Sequence, residues 1–232
     1  MQKTTIEWTG SSFLSALLGP ELQAKRQALI EHPLWRAIES GQASLGRLQV
    51  FALQDAWLVQ HSPQLEALLL AHAPDEAAHR TLSAKHDPKS VFAGQGSLQH
   101  FGAGIGLTPS DFEHITPLAG CLTLTSHFYY ALLRHGFVGM LASLSASESV
   151  FIAICQRVGP ALQRHYHLTD EQVAFFPLHD HLEESVNGGE AALLERLCQT
   201  PAEVEALKLV VSQTYDCEKL FYDTVWQAGL RT

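Results

Sequence analysis

Helical periodicity runs through almost the entire chain and constrains its fold more than any other feature. Apolar residues recur at spacings of three and four, as in amphipathic helices, and convincing strand-type alternation is missing. Ser44 and Thr169 precede such segments as helix caps, and Gly136 separates two long ones. Because the 232 residues contain no evident linker or repeat, we predict one all-α bundle domain over residues 1–232, with an irregular N-terminal lead over 1–20.

Composition excludes several classes of partner. The formal net charge is -9 and the longest basic run is the Ala24–Arg26 tripeptide, which argues against nucleic-acid binding. No stretch approaches the roughly 18 consecutive apolar residues of a membrane span. The four cysteines form no C-x-x-C pair, which is typical of a cytosolic protein with reduced thiols. We expect a cytoplasmic protein with a small-molecule ligand, no nucleic-acid or membrane partner, and a homodimeric or larger homo-oligomeric state.

Three acidic residues interrupt apolar helix faces. Asp55, Glu148 and Glu218 each lie on the stripe of a predicted helix that should pack inward. A buried carboxylate without a partner loses hydration, and its pKa rises. Each residue could instead cap a helix or form its own ion pair. Since three helices repeat the pattern, we predict that the carboxyl groups meet in one polar pocket and carry acid–base chemistry there.

The segments around these residues resemble the TenA family of the heme-oxygenase-like all-α superfamily. The family pattern "HPF…I..G.L....F..Y..QD" is similar to the segment HPLWRAIESGQASLGRLQVFALQD, which ends at Asp55. The resemblance continues at ASLSASES, which contains Glu148, and at SQTYDCEKLFYDTVW, which contains Glu218. It spans nearly the whole chain and implies a heme-oxygenase-like helical bundle; PqqC-like and CADD-like proteins are more distant matches.

The resemblance also implies a function and a set of site residues. TenA-type thiaminase II binds an aminopyrimidine between its helices, which implies that Asp55 binds the substrate and Glu218 is the acid/base in C–N hydrolysis. The nucleophilic cysteine of the family would fall near Ser147 or Glu148, and this chain has no cysteine there. Glu148 is therefore a candidate to serve in its place. The other predicted pocket residues are Trp57, His127, Tyr130, Tyr215 and Tyr222.

Two alternatives remain open at the level of sequence. The chain also resembles CADD-like metal-dependent oxidases, for which Glu148, His179 and Glu183 are candidate iron ligands; His179 and Glu183 are spaced i, i+4 on one helix face. That ligand pattern is incomplete, because Val186 occupies the position of a further ligand. We therefore favour no cofactor, with iron as the cofactor of this alternative. The third reading is a ligand-binding or regulatory protein without catalysis.

Overall fold

The computed structural model describes residues 19–85, 88–179 and 185–229. Residues 1–18, which hold most of the predicted irregular lead, lie outside the described part. The described residues are helical and contain no β-strand. The α-helices are α1 (Pro20–Ile30), α2 (Pro33–Glu39), α3 (Leu45–Ala71), α4 (Glu76–Lys85), α5 (Pro88–Gly104), α6 (Ala119–Tyr166), α7 (Asp170–Val173), α8 (Phe175–Leu178), α9 (Ala191–Leu197) and α10 (Pro201–Ala228), with a 3-10 turn at Pro109–Phe112 and a π-helical segment at Ser185–Glu190.

Helix α6 is the centre of the bundle and packs most extensively against α10. The predicted break at Gly136 is a kink within α6, because Gly136 has φ 68° and ψ -163° while the helix continues on both sides. Gly120 lets the two helices approach closely: a Cβ at this position would lie within 2.6 Å of backbone atoms of Leu220. The close approach fixes the register of α6 against α10, which carry two of the three acidic residues.

The predicted helix starts rest on side-chain caps. Ser44 accepts a hydrogen bond from the Arg47 backbone at the start of α3, and Thr169 accepts one from Gln172 at the start of α7. His32 caps α2 by accepting a bond from the Leu34 N–H through Nδ1 at 3.2 Å. Since that nitrogen is the acceptor, Nε2 carries the proton that bonds an oxygen of Asp223 on α10 at 3.0 Å. His32 therefore connects α2 to α10 at a position five residues after Glu218.

Further polar contacts fix the surroundings of the acidic residues. On α3, the Gln54 side chain donates to the Thr116 carbonyl at 3.1 Å and accepts from the Leu118 N–H at 2.6 Å, which anchors the start of α6. Lys25 on α1 forms an ion pair with Asp216 on α10 at 2.7 Å. The segments around the predicted site are thus connected by side chain–backbone hydrogen bonds and ion pairs as well as by apolar packing.

Two regions differ from their sequence-based assignment. Residues 87–106, rich in glycine and ambiguous in sequence, contain α5. The segment after Thr169 was predicted as one helix but forms the two single turns α7 and α8 before residues 180–184, which lie outside the described part. Pro177 accounts for the break, because it has no N–H to bond the Val173 carbonyl one turn earlier.

Helix α6 is long and apolar enough to cross a membrane, judged by length and composition alone. Its most apolar 18-residue window has a mean hydropathy of 1.7, but 61% of that window is buried inside the protein. Because the apolar side chains of α6 pack against α3 and α10, the helix has the position of a bundle core helix.

Candidate active site

Asp55 is one of three acidic side chains that are almost completely buried in the described part of the chain, together with Glu190 and Glu218. It lies on α3, one turn after Phe51, and is 4% exposed. Its Oδ2 atom is buried and has no hydrogen-bond partner. Burial, with a smaller contribution from the negative charge of Glu148, raises its pKa to about 7. A carboxyl group in this state can bind or release a proton near neutral pH.

Glu218 lies on α10 and is 1% exposed. The Tyr222 hydroxyl donates a 2.5 Å hydrogen bond to its Oε1, whereas Oε2 is buried without a partner. Burial raises its pKa to about 8; the hydrogen bonds from Tyr222 and Ser147 oppose the rise, and the charge of Glu148 adds to it. One carboxyl oxygen is thus held in place by the Tyr222 hydroxyl.

Glu148 connects these two acids. It lies on the second half of α6 and is partly buried, and its Oε1 atom is buried without a hydrogen-bond partner. Its negative charge acts on the pKa of both Asp55 and Glu218, so it lies electrostatically close to each. The pKa values of two acids on two other helices thus both respond to the charge of Glu148. That the three carboxyl groups share one pocket stays a prediction, as does their role in catalysis.

Two tyrosines on α10 accompany the acids. Tyr222 is 1% exposed, and burial, followed by the charge of Glu218, raises its pKa well above the usual range. Tyr215 is also 1% exposed; burial raises its pKa, and a hydrogen bond with Ser149 opposes the rise. The charge of Arg26 acts on both Tyr215 and Glu218, although its guanidinium donates to the Ser149 carbonyl at 2.9 Å. Both phenols are therefore neutral hydrogen-bonding groups beside the carboxyls.

An aromatic layer lies one helical turn away from the acids. The indole of Trp35 on α2 packs edge-on against Phe51 at 5.1 Å and against Tyr222 at 4.8 Å between ring centroids. Phe151 lies 6.2 Å from Trp35 and 6.5 Å from Phe51. Sequence reasoning missed Trp35 as a site residue, because a tryptophan on an apolar helix face is typical of any core.

His127 belongs to a buried polar network on the other side of the acids. It is 8% exposed, and its Nε2 lies 3.1 Å from the Thr214 hydroxyl. Ser143 lies 2.8 Å from that same hydroxyl, which also donates to the Val210 carbonyl at 2.9 Å. Burial lowers the pKa of His127. Since Thr214 lies one turn before Glu218, the network borders the acidic cluster and joins α6 to α10.

The sequence matches the family described as the TENA/THI-4/PQQC family over residues 19–228. This chain belongs to that family. No curated protein matches the sequence. The family assignment agrees with the sequence resemblance and covers almost the whole of the described structure.

Solved structures agree with the fold of the TENA/THI-4/PQQC family. A TenA homolog from Pseudomonas syringae pv. tomato str. DC3000 has a TM-score of 0.78 at 15% identity, over 96% of this chain and 99% of that one. A heme oxygenase-like domain of unknown function from Shewanella denitrificans has a TM-score of 0.76 at 17% identity, over 89% of each chain. A putative TenA-like thiaminase from Sulfolobus solfataricus has a TM-score of 0.71 at 12% identity, covering 92% and 94%. The fold is therefore the heme-oxygenase-like bundle.

Two predicted ligand-binding residues of this TENA-family chain are Trp57 and Tyr130. Their described ring contacts are with histidines and not with the three acids. Trp57 follows Asp55 by two residues, about 200° around the helix, and its ring packs against His61 at 4.0 Å. Tyr130 is 47% exposed, and its ring lies 6.0 Å from His127 and 6.2 Å from His135. The structure thus groups Tyr215 and Tyr222 with the carboxyls and places Tyr130 at the surface.

The alternative metal site is only partly described. His179 packs its ring against Phe151 and Phe175, both at 4.8 Å, and its Nδ1 lies 3.1 Å from the Phe175 carbonyl. Glu183 lies outside the described residues. Within the part of the chain that is described, no three His, Cys, Asp or Glu side chains are arranged to hold a metal ion. The candidate set of Glu148, His179 and Glu183 therefore lies partly outside the described residues, and iron binding stays an alternative prediction.

The cysteines lie away from the position of the family nucleophile. All four are free, and Cys121 is buried with its thiol donating to the Gln54 carbonyl at 3.2 Å. Burial raises the pKa of Cys121 far above that of a reactive thiol. Ser147 and Glu148 occupy the place where the TenA resemblance expects the nucleophile. This position therefore offers a hydroxyl and a carboxyl group in place of a thiol.

Proposed function

We propose that this chain binds a small, amine-bearing heteroaromatic compound and hydrolyses a C–N bond in it. The observation that supports the proposal is the group of three carboxyl side chains, Asp55, Glu148 and Glu218, each of which keeps a buried oxygen without a partner. Buried acceptors that the protein leaves unpaired cost free energy unless a ligand pairs them. A cationic or amine-bearing ligand supplies the donors that these oxygens need.

Asp55 is the proposed partner of the amine. Its Oδ2 has no protein donor, and its pKa of about 7 lets a bound ammonium group stabilise the ionised carboxylate. The rings of Phe51, Phe151 and Tyr222 border the acids and offer faces on which a flat heterocycle can stack. A planar amine is therefore a better match than an aliphatic one.

Glu218 is the proposed proton carrier. The reaction is R–NH2 + H2O → R–OH + NH3: water forms the new C–O bond, and the C–N bond breaks with its electron pair leaving on nitrogen. Glu218 accepts a proton from the water and returns one to the departing nitrogen. A pKa of about 8 keeps both protonation states populated near neutral pH, as this exchange requires. Because the position of the family nucleophile holds Ser147 and Glu148 and no cysteine, water is the proposed nucleophile.

Two substitutions separate binding from chemistry. Glu218→Gln should still be stabilised against heat by 4-aminopyrimidine derivatives, but should release ammonia about 10²–10⁴ times more slowly than the wild type. Asp55→Asn should weaken ligand binding about tenfold or more, since it removes the charge that pairs with the amine. Exposed Glu113→Gln is the matched control and should change neither quantity.

Three outcomes would contradict parts of the proposal. If no aminopyrimidine stabilises the wild type at saturating concentration, the binding assignment is wrong, because a ligand of the folded state must raise stability. If ligands bind to the wild type and release no ammonia, the protein is a ligand-binding protein and the hydrolysis is wrong. If Glu218→Gln retains full activity, another group carries the proton.

A further inference from the structure

Trp35 has a buried hydrogen-bond donor for which the protein offers no acceptor. The side chain is fully buried at 0% exposure, and its indole Nε1 has no hydrogen-bond partner. Buried tryptophans normally pair this N–H, because an unpaired buried donor loses its bond to water and destabilises the folded state. Helix α2 therefore holds an unpaired donor in the interior of the bundle.

The surroundings of Trp35 relate it directly to the acidic cluster. Its three aromatic neighbours lie on the same three helices as the acids, each one turn away: Phe51 is four residues before Asp55, Phe151 is three residues after Glu148, and Tyr222 is four residues after Glu218. Residues three or four apart share a helix face. The indole thus lies against three rings that are each one helical turn from an acid with an unpaired oxygen.

The neighbouring rings do not replace a true acceptor. Trp35 meets Phe51 and Tyr222 nearly perpendicularly, at 88° and 84° between ring planes. An N–H directed at a ring face gains only a weak interaction compared with a bond to a lone pair. The structure therefore combines unpaired acceptors on three acids with an unpaired donor on a neighbouring indole.

We infer that Trp35 is a specificity residue whose indole N–H donates a hydrogen bond to a ring nitrogen of the ligand. The inference rests on the proposed ligand pocket and narrows its substrate class: the heterocycle carries a lone-pair acceptor in the ring in addition to its amine. A site built around a buried donor rejects analogues that lack the acceptor, because the donor then stays unpaired.

The first test follows the Trp35 N–H directly. Protein labelled with ¹⁵N at its indoles gives a signal for Trp35 that Trp35→Phe identifies by its loss. Pyrimidine, which has ring nitrogens and no amine, should shift this signal downfield, and benzene should not. Trp226→Phe, which removes a tryptophan near the surface, is the matched control and should leave the response intact. If saturating pyrimidine leaves the Trp35 signal in place, the inference is wrong.

The second test separates the two ring features. Affinities of 4-aminopyrimidine, pyrimidine, aniline and benzene are compared between the wild type and Trp35→Phe, which keeps an aromatic ring and removes the N–H. The substitution should weaken both pyrimidines about tenfold and leave aniline and benzene unchanged. Equal losses for all four compounds would overturn the inference. If 4-aminopyrimidine binds no more tightly than pyrimidine, and aniline no more tightly than benzene, the proposed function fails instead. If Trp35→Phe does not fold, the Trp35 signal is assigned by eliminating those of Trp8, Trp57 and Trp226, and its response in the wild type decides.

Discussion

The bond between Tyr222 and Glu218 adjusts the acid–base group that the proposed function requires. Burial favours the neutral carboxyl group, whereas the 2.5 Å bond from the Tyr222 hydroxyl favours the charged form. Tyr222→Phe removes this donor and little else. We therefore expect the pKa of Glu218 in the variant to rise further above its wild-type value of about 8.

The protonation of Glu218 can be followed by infrared spectroscopy. The carboxylic-acid C=O band that disappears in Glu218→Gln reports this group alone, and its titration gives the pKa. In Tyr222→Phe the band should persist to higher pH than in the wild type. An unchanged or lowered midpoint would show that the tyrosine does not stabilise the carboxylate.

Residue patterns indicated the candidate acids but not the candidate hydrogen-bond donor on Trp35. Asp55, Glu148 and Glu218 are recognisable in the sequence, because charged residues rarely lie on an apolar helix face unless they have a partner there. Trp35 gives no such signal, since its unpaired N–H is visible only when its neighbours are known. Tyr130 follows the helical pattern of an apolar segment, yet it is 47% exposed, because periodicity does not show which flank of a wide stripe faces solvent.

At the scale of the secondary-structure element, Gly136 allows α6 to kink while the helix continues on both sides of it. Its φ of 68° and ψ of -163° lie in a region that is essentially restricted to glycine, although a Cβ there would meet nothing within 4 Å. The cost of Gly136→Ala is therefore backbone strain and not a clash. We expect the free energy of unfolding in urea to fall by about 1–3 kcal/mol.

The same substitution at Gly96 is the matched control. Gly96 lies inside α5 and also leaves open space around a Cβ, but its φ is not in the positive region. Gly96→Ala should raise the free energy of unfolding by about 0.5–1 kcal/mol, because alanine has less conformational entropy to lose. If both substitutions stabilise the protein, the kink at Gly136 is not required by the fold.

For the whole molecule, periodicity was sufficient to predict the all-α class, since long amphipathic segments leave few other ways to bury their faces. Spacing alone did not give the bundle topology, which came from the resemblance at the HP and QD segments. Local breaks were harder to place: the helix predicted after Thr169 ends early because Pro177 removes a backbone bond. Convergence of the acids depended on tertiary packing, which no single helix encodes.

The buried acids also make the stability of the whole protein depend on pH. The pKa of Asp55 rises from 3.8 to about 7 on folding and that of Glu218 from 4.5 to about 8, so the folded state binds more protons than the unfolded state between these values. Their contribution to stability is fully present below the unfolded pKa values. It is lost as the pH rises through about 7 and about 8.

Glu218→Gln isolates one share of this dependence, because its neutral amide cannot ionise. The free energy of unfolding of the variant relative to the wild type should increase from pH 5 to pH 9, by an amount on the order of a few kcal/mol. His32 and His127, whose pKa values burial lowers, act in the opposite sense at low pH, but they are present in both proteins and cancel in the difference.

Urea titrations from pH 5 to pH 9 measure this difference in the free energy of unfolding between Glu218→Gln and the wild type, with Glu113→Gln as the surface control. A difference that stays constant with pH would mean that Glu218 is ionised in the folded protein at all these pH values, and the buried proton on which the proposed chemistry depends would not exist.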